Sequence, residues 1–234
     1  MASINSKISI SIFNNKLITP GDRILIGVSG GIDSLVLTKL LCLYGSAKSN
    51  NITLQAVYVN IPRVEIPEKH FDRMKTYLSQ WGAPFDVING SIAEDVKFCC
   101  YACAKERRKR LCIYSRDNGF DSIALGHNLD DFLETGFMNL QYHGHLESLK
   151  PIDTMFNGSI TIIRPMLSIP KRDILSYAKN EQINIEKHVC SWGWNNKREN
   201  TREIIANLKR TNKSFLKNLH KAINRWNCQN TNNR

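Results

Sequence analysis

Residues 29–34 have the composition of an anion-binding turn. They read SGGIDS and lie between the apolar run 24–28 and the apolar-periodic stretch 35–44. This order predicts a buried strand, a tight turn and a helix start. Consecutive glycines let backbone N–H groups approach a ligand, and the helix start adds partial positive charge, so a nucleotide phosphate is the expected occupant. The positions expected to contact it are Ser29, Gly30, Gly31, Asp33 and Ser34.

The turn differs from the commoner phosphate-binding motifs, because neither Gly-Lys-Ser/Thr nor Gly-x-Gly-x-x-Gly is present at the required spacing. It resembles the SGGxDS signature of the ATP pyrophosphatase (PP-loop) family. That resemblance implies an enzyme that cuts ATP between the α- and β-phosphates, adenylates a substrate oxygen and lets a nucleophile displace AMP. The structural alternative is an ordinary Gly-Gly turn in which Asp33 and Ser34 cap the helix.

The spacing of the cysteines indicates metal or redox chemistry rather than a disulfide framework. Cys100 and Cys103 form a C-x-x-C before a basic helix, and Cys190 lies in a later irregular stretch. A thioredoxin-like pair would be expected at the first strand–helix junction, which the glycine turn occupies. Zinc would need a fourth ligand such as Cys99 or His188, whereas three thiolates suit a [4Fe–4S] cluster with one open iron.

Five motifs in a fixed order make the resemblance more specific. They are the 29–34 turn, Cys100-x-x-Cys103 with Arg107-Arg108, Gly126-His127-Asn128-x-Asp130-Asp131, Arg164-Pro165-Met166, and Cys190. From about Asp22 to about Leu208 the chain resembles the tRNA 2-thiolation branch of the ATP pyrophosphatases, and most of all its 2-thiocytidine-forming members. It departs from those members in two ways. Where they have a second C-x-x-C, residues 187–190 of this chain keep only the last cysteine, Cys190. The chain is also shorter than they are.

This resemblance implies an ATP-dependent tRNA sulfurtransferase. The enzyme would adenylate a pyrimidine 2-carbonyl, expected in an anticodon-loop cytidine, and replace the oxygen with sulfur. Cys100, Cys103 and Cys190 would hold a [4Fe–4S] cluster, and the competing account makes them a persulfide donor and a resolving thiol. ATP and Mg²⁺ are the other expected cofactors.

The resemblance also assigns roles to charged residues. Asp131 is the expected catalytic carboxylate, Arg107 would stabilise the adenylate, and Asp33 would orient the metal or the phosphates. Asp130 is expected to stabilise a helix start, and Arg108 to contact RNA phosphate.

Three further positions are expected beside the nucleotide. Backbone groups around Tyr58 would recognise adenine. Gly126 and His127 follow a later strand, and ligands of open parallel sheets bind outside the carboxyl ends of the strands. For His127, a structural or capping role is the alternative.

Strand-like and helix-like segments alternate along the chain, which predicts an α/β fold with a parallel five-stranded sheet flanked by helices. The resemblance makes this sheet adenine nucleotide alpha hydrolase-like. Strands are predicted at 24–28, 52–61, 84–88, 122–125 and 160–163, and helices at 35–44, 67–81, 104–117, 132–141 and 170–182. Two basic helices, separated near 211–212, should follow.

The remaining segments complete the predicted organisation. Residues 1–20 form a lead-in, either strand or helix, and 89–103 and 143–157 are predicted loops. The predicted units are the lead-in 1–20, a PP-loop core 21–168, and a basic helical region 169–234 that carries the third cysteine. Residues 227–234 are expected to be disordered.

Charge indicates a polyanionic partner. The formal net charge is +11. From Asn195 onward the sequence has ten Lys or Arg residues and only two Glu residues. Together with the basic segment 105–110, this suits RNA, although a solvated helix face is the alternative. Trp192, Trp194 and Trp226 are candidates for base stacking.

The expected partners are tRNA and a sulfur donor, either inorganic sulfide or a persulfide from a cysteine desulfurase. A homodimer is a further possibility. No apolar run approaches the length of a membrane span, so a cytoplasmic protein without a membrane partner is expected.

Two other functions use part of the same pattern. A lysidine-synthetase-like tRNA ligase would use the glycine turn with an amine nucleophile, but has no need of the three cysteines. A zinc or iron–sulfur RNA-binding protein without catalysis would not need Asp33 and Asp131.

Overall fold

The computed structural model describes residues 3–62, 64, 66–156, 158–185 and 197–230 of the 234-residue chain. The strands are β1 (Arg23–Val28), β2 (Thr53–Asn60), β3 (Phe85–Asn89), β4 (Ser122–Ala124), β5 (Ile152–Met155) and β6 (Ile160–Ile163). The helices are α1 (Ile4–Asn14), α2 (Ile32–Gly45), α3 (Glu68–Gln80), α4 (Cys100–Asp117), α5 (Leu129–His143), α6 (Lys171–Asn180), α7 (Lys197–Thr211) and α8 (Phe215–Asn230).

The strands form a six-stranded sheet in the order β3-β2-β1-β4-β6-β5. The first five in this order are parallel, as predicted, whereas β5 runs antiparallel to β6 at the edge. The predicted count of five strands is therefore short by one, since β5 lies in the predicted loop 143–157. Strands β2 and β3 lie on one side of β1, and β4, β6 and β5 lie on its other side. The strand order therefore reverses between β1 and β4, and a ligand crevice is expected where these two strands end.

The sheet separates two apolar cores. Helices α1, α2, α3 and α6 pack over one face, which receives Ile24 and Ile26. Helix α4 packs over the opposite face, which receives Leu25 and Val57. Successive strand residues point to opposite faces, so the continuous apolar run of β1 fills both cores. A third cluster joins α5 to α8 through residues such as Leu133 and Ile223.

The lead-in segment is helical. In α1, Ile8 and Ile12 lie four residues apart on the same face and are fully buried in the first core. The Ser3 hydroxyl caps this helix by accepting a hydrogen bond from the Ser6 N–H at 3.2 Å. The three-unit division of the chain stays a prediction.

Several predicted helix boundaries are wrong; for example, α5 begins at Leu129 rather than at 132. Helix α4 begins at Cys100 rather than at 104, so both cysteines of the C-x-x-C lie in its first turn and not in a loop. Helix α8 continues to Asn230, although disorder was expected from 227 onward; residues 231–234 lie outside the described part. Among the described residues, no helix has both the length and the apolar character needed to cross a bilayer.

Candidate nucleotide and thiol site

The 29–34 turn is held open by its own serines. The Ser34 hydroxyl donates to the Gly31 carbonyl at 2.9 Å and accepts from the Ser29 N–H at 3.2 Å. Gly30 has a φ of +81°, and a Cβ there would lie 2.9 Å from the Ile66 side chain. Gly31 is the N-cap of α2 and provides no side-chain cap, so N–H groups at this helix end are available to an anion.

Lys171, which was not predicted from the sequence, contacts Asp33 of the turn. The Lys171 ammonium lies 2.6 Å from Asp33 Oδ1 and 2.5 Å from Asp33 Oδ2. The buried His70 ring also contacts the turn, with Nε2 2.8 Å from the Gly30 carbonyl oxygen. Neither residue carries a local sequence signal, because both come from helices distant in the chain.

Two adjacent cavities lie around the turn. The larger, of about 770 Å³, is lined by the turn, Lys171 and Arg107. The smaller, of about 190 Å³, is lined by the ends of β1 and β2 and by His127. Ser29 and Arg107 line both cavities. Their combined size and their mixed apolar and polar lining are typical of a nucleotide-sized ligand site.

Tyr58 and Arg107 meet at the carboxyl end of β2. Tyr58 is buried, and its neighbours Val57 and Val59 line the smaller cavity. The Arg107 guanidinium lies 6.0 Å from the centre of the Tyr58 ring, and its Nε is buried without a hydrogen bond among the described residues. Burial raises the pKa of Tyr58, Arg107 opposes the rise and Cys103 adds to it. Arg107 and Cys103 therefore both lie close enough to Tyr58 to act on it.

Gly126 acts through close packing. A Cβ at this position would lie 3.0–3.1 Å from backbone atoms of Asp33 and Ser34, so only glycine lets the end of β4 approach the turn this closely. Gly126 is absent from the described lining of both cavities.

His127 lies in the smaller cavity as a neutral ring. Burial lowers its pKa to about 4, with Arg164 contributing and Asp131 opposing. Its Nδ1 is buried and has no hydrogen-bond partner in the described part of the chain. Burying a polar atom without a hydrogen bond costs free energy, and a hydrogen bond between this nitrogen and a ligand would offset that cost.

The two carboxylates after His127 are both used by the fold. Asp131 Oδ2 accepts from the Asn128 N–H at 3.1 Å and completes a capping box at the start of α5. Asp130 lies in the first turn of α5 and also accepts from the Lys171 N–H at 2.7 Å, so it contacts the start of α6 as well. Asp131 Oδ1 lies 3.6 Å from Arg198 at the beginning of α7.

Arg198 belongs to an ion-pair network that sequence reasoning missed. The buried Glu134 pairs with Arg198 Nε at 3.2 Å and with Arg202 Nε at 2.7 Å. These contacts anchor α7 to α5, the helix that carries Asp131. From sequence alone, both arginines are indistinguishable from the other cations of the basic tail.

Cys100 and Cys103 occupy the same side of the first turn of α4, since they are three residues apart in a helix. Cys100 is exposed and Cys103 is half-buried. A helix N-terminus stabilises thiolates, so the pair is suited to metal ligation. By contrast, Cys42 and Cys112 lie in apolar surroundings, where burial raises the pKa of both thiols, that of Cys42 to about 11.

Cys190, the expected third ligand of the cluster, lies outside the described residues. The same is true of Trp192 and Trp194, two of the residues expected to stack on bases. Within the described ranges, no three His, Cys, Asp or Glu side chains are grouped closely enough to hold a metal ion. The two thiols present fit two of the three ligands that a [4Fe–4S] cluster would take.

The chain is similar to known proteins over most of its length. Residues 3–208 match the family described as the PP-loop domain. A tRNA-cytidine(32) 2-sulfurtransferase 1 of Francisella philomiragia is 28% identical over 224 residues, covering 92% of this chain and 86% of that protein. A tRNA-cytidine(32) 2-sulfurtransferase of Xanthomonas campestris pv. campestris is 32% identical over 176 residues, covering 72% of this chain and 58% of its own length.

Solved structures show the same fold. The U34-tRNA thiolase NcsA from Methanococcus maripaludis, determined with its [4Fe–4S] cluster, has a TM-score of 0.76 at 21% identity and covers 94% of this chain and 77% of its own. NMN synthetase from Francisella tularensis has a TM-score of 0.53 at 14% identity, covering 97% and 90%. Both similarities confirm the predicted α/β architecture.

Proposed function

Because this chain belongs to the PP-loop domain family, we propose that it is an ATP-dependent tRNA sulfurtransferase acting on a cytidine 2-carbonyl. Relatives named for that activity match along most of its length. The observation that carries the proposal is that Arg107, four residues after Cys103 in the C-x-x-C helix α4, lines both cavities together with Ser29 of the glycine turn. A phosphate site beside paired thiols suits activation by ATP followed by sulfur transfer.

ATP would span the two cavities. Its phosphates would lie at the turn, where backbone N–H groups, Lys171 and Mg²⁺ held at Asp33 neutralise their charge. Its adenine would enter the smaller cavity beside the β2 backbone around Tyr58. Arg107 lines both cavities and would therefore lie near the α-phosphate. In the proposed reaction, the carbonyl oxygen attacks the α-phosphorus and pyrophosphate leaves, so Arg107 stabilises the charge that develops there.

Asp131 remains the proposed catalytic carboxylate. Its Oδ1 is not used by the capping box, and it could orient the substrate base or accept a proton. His127 would contact the nucleotide as a neutral ring, because its low pKa keeps it uncharged near pH 7.

Cys100 and Cys103, with Cys190 as the third ligand, are proposed to hold a [4Fe–4S] cluster. When bound, such a cluster supplies an open iron site that can take a sulfur nucleophile. The chain itself contributes the helix N-terminus that favours both thiolates and the adjacent Arg107 that holds the adenylate in place.

An anaerobic reaction with tRNA, ATP and sulfide tests the proposal. Mass spectrometry of the digested tRNA should show 2-thiocytidine formed by the native protein. Cys190→Ala should abolish it while ATP binding stays close to native, and Cys228→Ala, which changes an exposed thiol of α8, should behave like the native protein. Full thiolation by the Cys190 variant, or a tRNA carrying an added amine instead of sulfur, would contradict the proposal.

A further inference from the structure

A groove beside α4 is not used by the nucleotide site. It has a volume of about 670 Å³ and lies between the outer face of α4, the loop 91–96 and the tip of the β5–β6 hairpin. Two aromatic side chains, Tyr101 and Phe156, stand at its edges. The groove therefore offers both a concave surface and flat aromatic rings.

Both aromatic rings are exposed. Tyr101 is 76% exposed and Phe156 is 63% exposed, so neither contributes much to a core. Phe156 also has a φ of +53°, a backbone conformation that is unfavourable for a bulky residue. Aromatic side chains held in water at such positions are available to stack on a planar ligand.

The groove is positively charged. Lys105, Arg108 and Lys109 are exposed and line it, and in the described part of the chain none of them forms an ion pair. The acidic residue in the lining, Glu106, is already paired with Arg110 at 2.6 Å. The three exposed cations therefore favour an anionic partner.

The groove leads to the nucleotide site. Ala104 and Arg108 line both the groove and the smaller cavity, which also contains Ser29, Arg107 and His127. Tyr101 lies between Cys100 and Cys103 in the first turn of α4. A chain lying in the groove would thus end beside both the proposed adenylation site and the proposed thiol site.

We propose that this groove binds the single-stranded RNA loop that carries the target base, with bases stacked on Tyr101 and Phe156 and phosphates held by Lys105, Arg108 and Lys109. The inference rests on the proposed tRNA substrate. Cations together with exposed aromatic rings suit unpaired RNA, whose bases can leave the stack, better than a duplex. The groove would hold the loop so that one base reaches Arg107, which lines both cavities and is proposed to lie near the α-phosphate.

Fluorescence anisotropy with a labelled anticodon stem-loop RNA tests the groove in the full-length protein. Tyr101→Ala and Phe156→Ala should each weaken binding by roughly 5- to 100-fold, the range of a lost base–aromatic stack. Tyr101→Phe should restore native affinity. Lys109→Gln should lower the slope of log affinity against log salt by about 0.7, the value for one phosphate contact to a single strand. Phe13→Ala, which removes an aromatic ring 82% exposed on α1, is the matched control and should bind like the native protein.

The outcomes separate this inference from the proposed function. If the native protein does not bind the stem-loop, the tRNA substrate itself is wrong. Native binding that Tyr101→Ala and Phe156→Ala leave unchanged would overturn the groove alone, as would equal affinity for a fully paired RNA. If these variants bind RNA normally but lose only sulfur supply from a protein persulfide donor, the groove binds a protein and the inference fails.

Discussion

Asp33 and Lys171 form an ion pair at the centre of the proposed phosphate site. The sequence predicts where Asp33 lies but does not predict that Lys171 lies beside it. Asp33 is part of a contiguous motif whose turn and helix start are local properties, and the predicted turn and helix start are observed. Lys171 is 138 residues away in the chain, and only the packing of α6 against α2 brings it to the turn. No residue pattern distinguishes it from the other 31 basic residues.

Replacing Lys171 tests its contribution to phosphate binding. Lys171→Met removes a cation 2.5 Å from Asp33 and leaves that carboxylate beside incoming phosphates, so the affinity for a non-hydrolysable ATP analogue should fall about tenfold. Isothermal titration calorimetry measures it. Arg172→Met, which changes the next residue with its largely exposed side chain, is the control and should bind normally. Tighter binding by the Lys171 variant would mean that this lysine blocks the metal position.

His127 predicts a pH dependence of stability. Its folded pKa of about 4 lies below the ordinary value of 6.5, so the unfolded chain takes up the proton first as the pH falls. The free energy of unfolding should therefore decline between about pH 6.5 and pH 4, by up to about 3 kcal/mol, and be insensitive to this ring above that range. Urea titrations should show a shallower decline for His127→Gln, whereas the exposed His143→Gln should follow the native curve. Identical slopes for all three proteins would reassign the titrating group.

Elements formed by regular apolar patterns were predicted well, and those without such a pattern were not. Strand β6 matches its predicted range because four apolar or β-branched residues follow a turn. The start of α4 was missed because Cys99, its N-cap, makes no side-chain cap hydrogen bond and is not one of the usual capping residues. Strand β5 was missed because it is four residues long, lies at the sheet edge and is only half apolar.

The packing of the β4 end against the turn can be tested at Gly126. Gly126→Ala would place a Cβ 3.0–3.1 Å from the backbone of Asp33 and Ser34, which cannot move aside as a side chain can. We expect a loss of about 1–3 kcal/mol in unfolding free energy and weaker ATP binding. Gly45→Ala at the far end of α2 meets only side-chain atoms, those of Ile52 and Leu54, and should change stability less, with ATP binding unaltered. Native nucleotide affinity in the Gly126 variant would show that the turn tolerates displacement.

For the molecule as a whole, alternation of strands and helices predicted the parallel sheet, and the excess of basic residues predicted a charged C-terminal region. What could not be predicted is how α7 and α8 dock. The Glu134–Arg198–Arg202 network and the apolar cluster between α5 and α8 join residues far apart in sequence. Their partners are fixed by the tertiary structure and not by any local pattern.

The charge of the C-terminal helices predicts a salt-dependent affinity for tRNA. Replacing the exposed Lys209, Lys213 and Lys217 together by Gln should lower the slope of log affinity against log salt by up to about 3, because fewer counterions are released on binding. Filter binding between about 50 and 200 mM salt measures the slope. Replacing the exposed Lys16, Lys48 and Lys69 makes the same change in net charge elsewhere and should leave the slope nearly native. Equal effects of both triple variants would mean that only net charge matters.

The iron and acid-labile sulfide content of the anaerobically purified protein tests the thiol site most directly. We expect about four iron atoms and four sulfides per chain with broad visible absorption in the native protein and in Cys228→Ala, and loss of both in Cys100→Ala, Cys103→Ala and Cys190→Ala. A colourless protein with stoichiometric zinc, or a Cys190 variant that keeps its full iron, would contradict a cluster held by these three cysteines.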